Sequence, residues 1–267
     1  MRTLLLEMGS VLVAYSGGVD STFLLKMALD ALGPERVLAV IGVSPTLPQA
    51  ELQEAKALAR ELGAPLLLIP TEETSNPQYM ANPTNRCYFC KGELWGKLVP
   101  LARTRGLQYV VDGTNCDDVV GDYRPGLQAT REWGVRSPLV EAGFTKAEIR
   151  RASRALGLRT WNKPSFACLS TRIPYNTPIT LEALRQVEAA EEVLRELGFR
   201  QFRVRHHGRL ARLEVSLEDF PRFIEDEIRK VIVERLRALG YTFITLDLEG
   251  YRSGSMNQLI GRLKEPS

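Results

Sequence analysis

Residues 11–26, VLVAYSGGVDSTFLLK, constrain this chain more than any other stretch. Val11 to Tyr15 is an apolar, β-branched and aromatic run of the kind that forms a buried strand. It breaks at Ser16-Gly17-Gly18. A helical pattern then begins, with Phe23, Leu24 and Met27 spaced for one face and Asp20, Ser21 and Thr22 in the first turn. Strand, glycine turn and helix N-terminus make an arrangement that binds phosphate. Backbone N–H groups and the positive end of the helix dipole point at the anion, and glycine lets the chain approach closely. Neither G-x-x-x-x-G-K-[ST] nor G-x-G-x-x-G is present here. The plain alternative is a tight turn without a ligand.

Ser-Gly-Gly-Val-Asp-Ser directly after a strand resembles the PP-loop of the ATP pyrophosphatases. That superfamily includes NAD synthetase, asparagine synthetase and tRNA thiolation enzymes. The resemblance implies that Ser16, Gly17, Gly18, Asp20 and Ser21 hold the pyrophosphate of ATP while a substrate oxygen attacks the α-phosphate. AMP is then transferred and pyrophosphate leaves.

The rest of the chain supports an α/β reading. Arg36 to Val43, Pro65 to Pro70 and Leu107 to Asp112 read as further strands, and Gln49 to Leu62 as an amphipathic helix stopped by Gly63. A helix is expected from about Lys91 to Arg105, and another after Thr145 as N-cap, running to Gly157. Strands alternating with helices predict a parallel sheet with helices on both faces, with ligands at the carboxyl ends of the strands. Ser16–Ser21, Ser44 and Gly113–Asp118 all fall at such ends. Beyond Thr177 the pattern changes to a helix at Leu181–Leu197, alternating segments at Phe202–His206 and Ala211–Ser216, a helix over Pro221–Leu239 and a strand at Phe243–Leu248. The expected organisation is a PP-loop domain over 1–171, a smaller α+β domain over 172–250 and a partly disordered tail over 251–267.

Composition excludes several classes. With 267 residues, 44% hydrophobic and 25% charged, the chain has ordinary globular content, and a net charge of +3 is too mild to imply nucleic acid. No run approaches the ~18 apolar residues of a membrane span. Glu7 interrupts the N-terminal apolar run, so a secretory signal is not expected and the cytosol is the expected compartment.

Four cysteines are too few for a disulfide scaffold. Cys87 and Cys90 form a C-x-x-C between Arg86 and Lys91, Cys116 follows the fourth strand, and Cys168 lies in a proline-rich loop. Buried apolar packing, a redox dithiol, a structural zinc and three thiolates on an [Fe–S] cluster all remain open on spacing alone.

The blocks SGGVDS, NRCYFCK, DGTNCDDVVGDYRPGL, VRSPL, TKAEIR, LGL and KPSFACLSTRIPYNTPIT are similar in order and spacing to the LarE-type sulfur transferases, over essentially Leu12 to Leu248. That family adenylates the carboxylates of a pyridinium biscarboxylic acid mononucleotide. It converts them to thiocarboxylates for the nickel-pincer nucleotide cofactor. In one subgroup the cysteine matching Cys168 gives up its own sulfur and becomes dehydroalanine. In another, that cysteine and a C-x-x-C hold a [4Fe–4S] cluster whose open iron carries sulfide, and Cys87 and Cys90 place this chain nearer the second. The resemblance also implies Ser44 and Gly113 at the adenosine end of ATP, Asp20 toward Mg²⁺ with Asp117 or Asp118 in reserve, a sulfide or sulfur donor protein, and a homo-oligomer. Two departures stand out. Cys116 replaces a small residue and is expected to be inert, and Asn176 stands where glycine is usual, as a left-handed turn residue.

Arg203 and Arg205 alternate on a predicted strand and share one face, matching an R-V-R block of the family, and suit the substrate phosphate. Arg172 and Lys163 flank Cys168, to tune its thiol or orient substrate. His206 and His207 read as polar turn residues, and Glu191 and Glu192 as exposed helix residues, the first near the arginine pair. The competing readings are a PP-loop tRNA thiolation enzyme, an amidotransferase or NAD synthetase, and a nucleotide-binding regulatory module without turnover. No stacked-aromatic or long basic surface for RNA is evident.

Overall fold

The computed structural model describes residues 1–120, 124–165, 167–252 and 254–257. Positions 253 and 258–267 of the expected tail lie outside them. The chain forms two compact units, one of 1–76 with 85–166 and one of 77–84 with the described residues from 167 onward.

In the first unit the strands β1 (Val11–Ala14), β2 (Val37–Val43), β3 (Leu66–Pro70) and β4 (Tyr109–Val111) form one sheet in the order β3-β2-β1-β4, with every pairing parallel. The helices open with α1 (Arg2–Met8), α2 (Val19–Leu32) and α3 (Gln49–Glu61). After α4 (Pro77–Met80), which belongs to the second unit, come α5 (Arg86–Thr104), α6 (Cys116–Val119), α7 (Gly126–Glu132), α8 (Pro138–Glu141) and α9 (Lys146–Ala155).

Val11, Val13 and Tyr15 bury one sheet face with Leu5 of α1, Phe23 and Leu24 of α2 and Ile149 of α9. Leu12, Val40 and Val110 bury the other against Trp95 and Leu98 of α5 and Ala129 of α7. Burial on both faces is why β1 and β2 read as continuous apolar runs, the pattern of a parallel sheet. Each fully buried side chain such as Leu98 contributes about 1.5–3 kcal/mol.

Several helices of this unit differ from the sequence reading. Helix α5 starts at Arg86 rather than Lys91, so Cys87 and Cys90 lie in its first turn. Cys87 is exposed, and the helix buries its apolar side chains only from Trp95 onward, so its first turn carries no apolar period. Helices α7 and α8 are too short to show one.

In the second unit β5 (Phe202–His207) and β6 (Leu210–Val215) form an antiparallel hairpin turned at Gly208, φ 64°, and β7 (Phe243–Leu246) joins β6 in parallel. Helix α10 (Leu181–Glu196) and α12 (Asp226–Ala238) cover one face through Val193, Leu194, Ile232 and Leu236. The single helix expected over Pro221–Leu239 is broken into α11 (Phe220–Phe223) and α12. Ile224 at the break is 63% exposed, and Asp226 and Glu227 open α12 with the charge its N-terminus favours. Segment 77–84 is tied in by Asn82, fully buried at φ 56°, whose Nδ2 donates to the carbonyls of Pro174 (2.8 Å) and Thr177 (2.9 Å). Asn176 is left-handed, φ 64°, as its turn requires. Part of the expected tail is ordered: Tyr251 N–H donates to Val215 O (2.8 Å) and Ser255 Oγ to Glu214 Oε1 (2.9 Å).

Candidate active site

The glycine turn after β1 is closed by its two serines. Ser21 Oγ lies 3.0 Å from Ser16 Oγ, accepts from Ser16 N–H (3.2 Å) and donates to Gly18 O (3.3 Å). Gly17 is left-handed, φ 70°, and a β-carbon there would stand 2.6 Å from Ala55 Cβ, so α3 presses the loop where only glycine fits. Gly18 caps α2, its own N–H donating to Ser16 Oγ (3.4 Å), and no side chain caps the helix, whose N-terminus favours an anion. The loop after β4 meets the same turn, since a β-carbon on Gly113 would lie 2.9 Å from Ser21 N. These two loops therefore converge, as the sequence implies.

Asp20 sits in the first turn of α2. Its Oδ2 accepts from Lys146 Nζ, while Oδ1 is buried with no hydrogen-bond partner among the described residues. A carboxylate oxygen left bare in this way fits a cation such as Mg²⁺. The reserve acids are otherwise engaged. Asp117 Oδ2 accepts from Lys146 N–H (2.9 Å), and Asp118 caps the Asn115 turn and pairs with Arg124 (2.8 Å). Lys146 escaped the sequence reading, although a lysine at the first position of a helix opposes the dipole and is a legible anomaly.

Ser44 follows β2 and donates to Glu73 Oε1, as does Thr46 at 2.9 Å. Glu73 was missed, because it lies in a polar loop without periodicity. Asp112, 3% exposed, accepts from Ser137 Oγ (2.7 Å) and Thr114 Oγ1 (2.9 Å), shaping the loop through Gly113, and pairs at 3.6 Å with Lys91. Lys91 follows Cys90 and also lies over the Trp95 ring at 4.4 Å, so the cysteine turn of α5 is tied to the end of β4. Lys163 is not free to act on a thiol. It bridges Glu51 (2.8 Å) and Glu54 (2.7 Å) of α3 and donates to Gly17 O (3.3 Å), bracing the glycine turn.

Cys87 is exposed, and Cys90, Cys116 and Cys168 are half-buried. Cys87 and Cys90, three residues apart on α5, project from one side of the helix. Cys116 lies with Sγ 3.9 Å from Val140 O. Among the described residues no three Cys, His, Asp or Glu side chains are gathered closely enough to hold a metal ion.

In the second unit Arg172 is fully buried and bidentate on Glu191 (2.7 and 2.9 Å). It also donates to the carbonyls of Ala167 (2.8 Å) and Cys168 (3.2 Å). Arg172 thus fixes the backbone at Cys168 through that carbonyl. Glu191 is only 2% exposed, contrary to its reading as an exposed helix residue. It shares the inner stripe of α10 with Leu184, Val187 and Leu194 and accepts from Val204 N–H (3.1 Å). Arg203 and Arg205 are 7% and 5% exposed. Arg205 donates to Glu214 (2.7 Å), Ser255 (2.8 Å) and Thr171 O (2.9 Å), while its Nε is buried without a partner among the described residues. Burial, with Arg172 nearby, pulls the Arg203 guanidinium down to about 10. His206 belongs to β5 rather than to the turn and meets Tyr241 OH at 3.1 Å.

Comparison with known proteins agrees with this geometry. The NAD synthase family matches residues 6–90, which span the glycine turn, Ser44 and Glu73. A protein of Synechocystis sp. described as uncharacterized is 48% identical over 95% of this chain and 94% of its own. The pyridinium-3,5-bisthiocarboxylic acid mononucleotide synthase of Lactiplantibacillus plantarum is 40% identical over 95% of this chain and 91% of its own. The glutamine-dependent NAD(+) synthetase of Aquifex aeolicus is 41% identical over 24% of this chain. The likeness to the bisthiocarboxylate synthase runs through both compact units, and the chain belongs to the LarE family, within the PP-loop superfamily.

Proposed function

We propose that this protein is an ATP-dependent sulfur transferase that adenylates the carboxylates of pyridinium-3,5-biscarboxylic acid mononucleotide and converts them to thiocarboxylates. A carboxylate is a poor electrophile, because oxide or hydroxide would have to leave. Attack of its oxygen on the α-phosphate of ATP breaks the bond to the β-phosphate, releases pyrophosphate and leaves an acyl adenylate. The acyl carbon is then open to a sulfur nucleophile, with AMP as leaving group.

What supports this most directly is the glycine turn itself. Gly17 in the turn and Gly113 packed against it leave no room for a side chain, and Asp20 keeps a buried carboxylate oxygen without a partner among the described residues beside the helix N-terminus. Ser16, Gly17, Gly18 and Ser21 hold the pyrophosphate, Lys146 faces the phosphates from Asp20, and Asp20 takes Mg²⁺. Ser44 and Gly113 flank the adenosine end. Arg203 and Arg205 take the substrate phosphate, while Arg172 holds the Cys168 backbone.

Cys87, Cys90 and Cys168 hold a [4Fe–4S] cluster in this reading. Two thiols on one helical turn fit part of such a site, and metal binding is itself coupled to gathering the ligands. When bound, the cluster supplies an open iron that carries sulfide. The protein works in the cytosol as a homo-oligomer fed by sulfide or a sulfur donor protein, and exposed Ile224, Phe243 and Leu248 on the second unit support self-association. No helix among the described residues is long and apolar enough to cross a membrane.

The test is anaerobic incubation with ATP, Mg²⁺, sulfide and the biscarboxylate mononucleotide. The expected outcome is pyrophosphate and AMP formed only with the carboxylate present, and a product carrying sulfur in place of oxygen. Thiolated tRNA as the product instead would overturn the assignment.

A further inference from the structure

Glu73 has no part in the adenylation just described, yet the fold spends a buried charge on it. Its side chain is 3% exposed. Oε1 accepts from Ser44 Oγ and from Thr46 Oγ1 at 2.9 Å, and Oε2 has no partner among the described residues. Ser44 and Thr46 lie 2.9 Å apart, and Thr46 N–H donates to Ser44 Oγ (3.2 Å). The Thr46 N–H already closes this turn on Ser44 Oγ, so the carboxylate is not needed to hold it. Burying it with one oxygen bare is a cost without a return in folding.

The return lies in where the protons go. An ionised carboxylate only accepts, and a hydroxyl has one proton to give. With the protons of Ser44 and Thr46 drawn to Oε1, Ser44 Oγ keeps a lone pair beyond the one that takes the Thr46 N–H, while Thr46 itself is buried, 4% exposed. Ser44 is half-buried and follows β2, the strand bonded directly to β1, so this acceptor surface stands one strand from the glycine turn at the same end of the sheet. The adenine of ATP carries one N–H donor group, its exocyclic 6-amino group.

We infer that Glu73 is a specificity-determining positioning residue: by taking the Ser44 and Thr46 protons it makes the end of β2 an acceptor for the 6-amino group of adenine, and so selects ATP over 6-oxo purine nucleotides. The inference rests on the proposed adenylation at the glycine turn.

The discriminating probe is inosine triphosphate, which differs from ATP at the 6-position and in the proton that this change puts on N1. For wild type, kcat/KM for pyrophosphate release should favour ATP by on the order of 10-fold or more. Glu73→Gln keeps the size but brings an N–H donor, which returns the Ser44 proton to the surface. The preference should fall to within about 3-fold through a raised KM for ATP, with kcat little changed. Ser44→Ala should act in the same direction, and it carries the test if Glu73→Gln does not fold. The ratio of ATP to 2′-deoxy-ATP should be unchanged in both. A preserved ATP preference in either folded variant overturns the inference, as does a loss confined to 2′-deoxy-ATP. Equilibrium dialysis with ATP and inosine triphosphate separates the two readings. Without any pyrophosphate release the adenylation reading fails, while the binding preference still reports on Glu73.

Discussion

Lys146 and Asp20 form an ion pair at the first turn of α2, the lysine Nζ donating to Oδ2 while Oδ1 of the same carboxylate has no partner among the described residues. The pair places one cation and one bare carboxylate oxygen at the N-terminus of α2, beside the glycine turn proposed to hold the phosphates. Asp20→Asn keeps the shape but loses the charge proposed to take Mg²⁺, and pyrophosphate release should fall by about 100-fold or more. Lys146→Met should lower kcat by about 10- to 100-fold. Because the pair is partly exposed, both variants should stay within about 1 kcal/mol of wild-type stability. A steady-state assay for pyrophosphate, with a denaturant titration beside it, checks both statements.

Glycine positions that look alike in sequence should behave differently. Gly17→Ala and Gly113→Ala drive a β-carbon to 2.6 Å from Ala55 Cβ and 2.9 Å from Ser21 N, respectively. Each should cost about 1–3 kcal/mol and weaken ATP binding, because the loop must shift away from its N–H geometry. Gly63 is also left-handed, φ 65°, but nothing lies within 4 Å of its added carbon. Gly63→Ala should cost about 1–2 kcal/mol of stability and leave ATP affinity unchanged. Isothermal titration with a non-hydrolysable ATP analogue reads the difference.

The contrast shows what the sequence can carry. The parallel sheet was legible because β1 and β2 are buried on both faces and write continuous apolar runs. The turn at Gly17 was legible because strand, glycine and helix follow one another within a few residues. Charged residues in the interior were not. Glu191 keeps the spacing of the inner stripe of α10, but a charge on that stripe reads as a surface residue unless its partner Arg172, 19 positions earlier, is known to be there. Glu73 reaches Ser44 across 29 positions, and nothing local announces such a bond.

Arg172 and Glu191 are 0% and 2% exposed, so each leaves the other stranded if removed. Arg172→Met alone or Glu191→Leu alone should destabilise the protein by about 3–5 kcal/mol. The double replacement should recover much of that loss, since two apolar side chains need no partner. It should not recover sulfur transfer, because the carbonyls of Ala167 and Cys168 lose their donor. A double-mutant cycle on the unfolding midpoint, paired with thiocarboxylate formation, tests the two halves separately.

Burial lowers His206 from its usual 6.5, and His207 is lowered by burial and by Arg212. A histidine depressed in the folded state binds its proton more readily unfolded. Its stability contribution is therefore complete above about 6.5 and is lost as pH falls through the lower folded value. Urea midpoints should decline on acidification below that point, and His206→Gln should flatten the decline. A steeper slope in the variant would assign the acid sensitivity elsewhere.

The four cysteines divide by what surrounds them. Cys87 and Cys90 share the first turn of α5, and Cys168 opens a turn whose carbonyl is held by Arg172, whereas Cys116 lies on α6 with its sulfur toward Val140 O. Anaerobically isolated protein should be brown, and Cys87→Ala, Cys90→Ala and Cys168→Ala should each remove the colour and the bound iron. Cys116→Ala should keep both, because its thiol packs against a backbone carbonyl rather than standing with the helical pair. Iron analysis and visible absorption on the four variants make the comparison. Colourless wild type that acquires dehydroalanine at position 168 after turnover would move the sulfur source from a cluster to that cysteine itself. The proposed adenylation at the glycine turn would be untouched, since the roles proposed for Asp20, Ser21 and Gly113 concern ATP whichever sulfur follows.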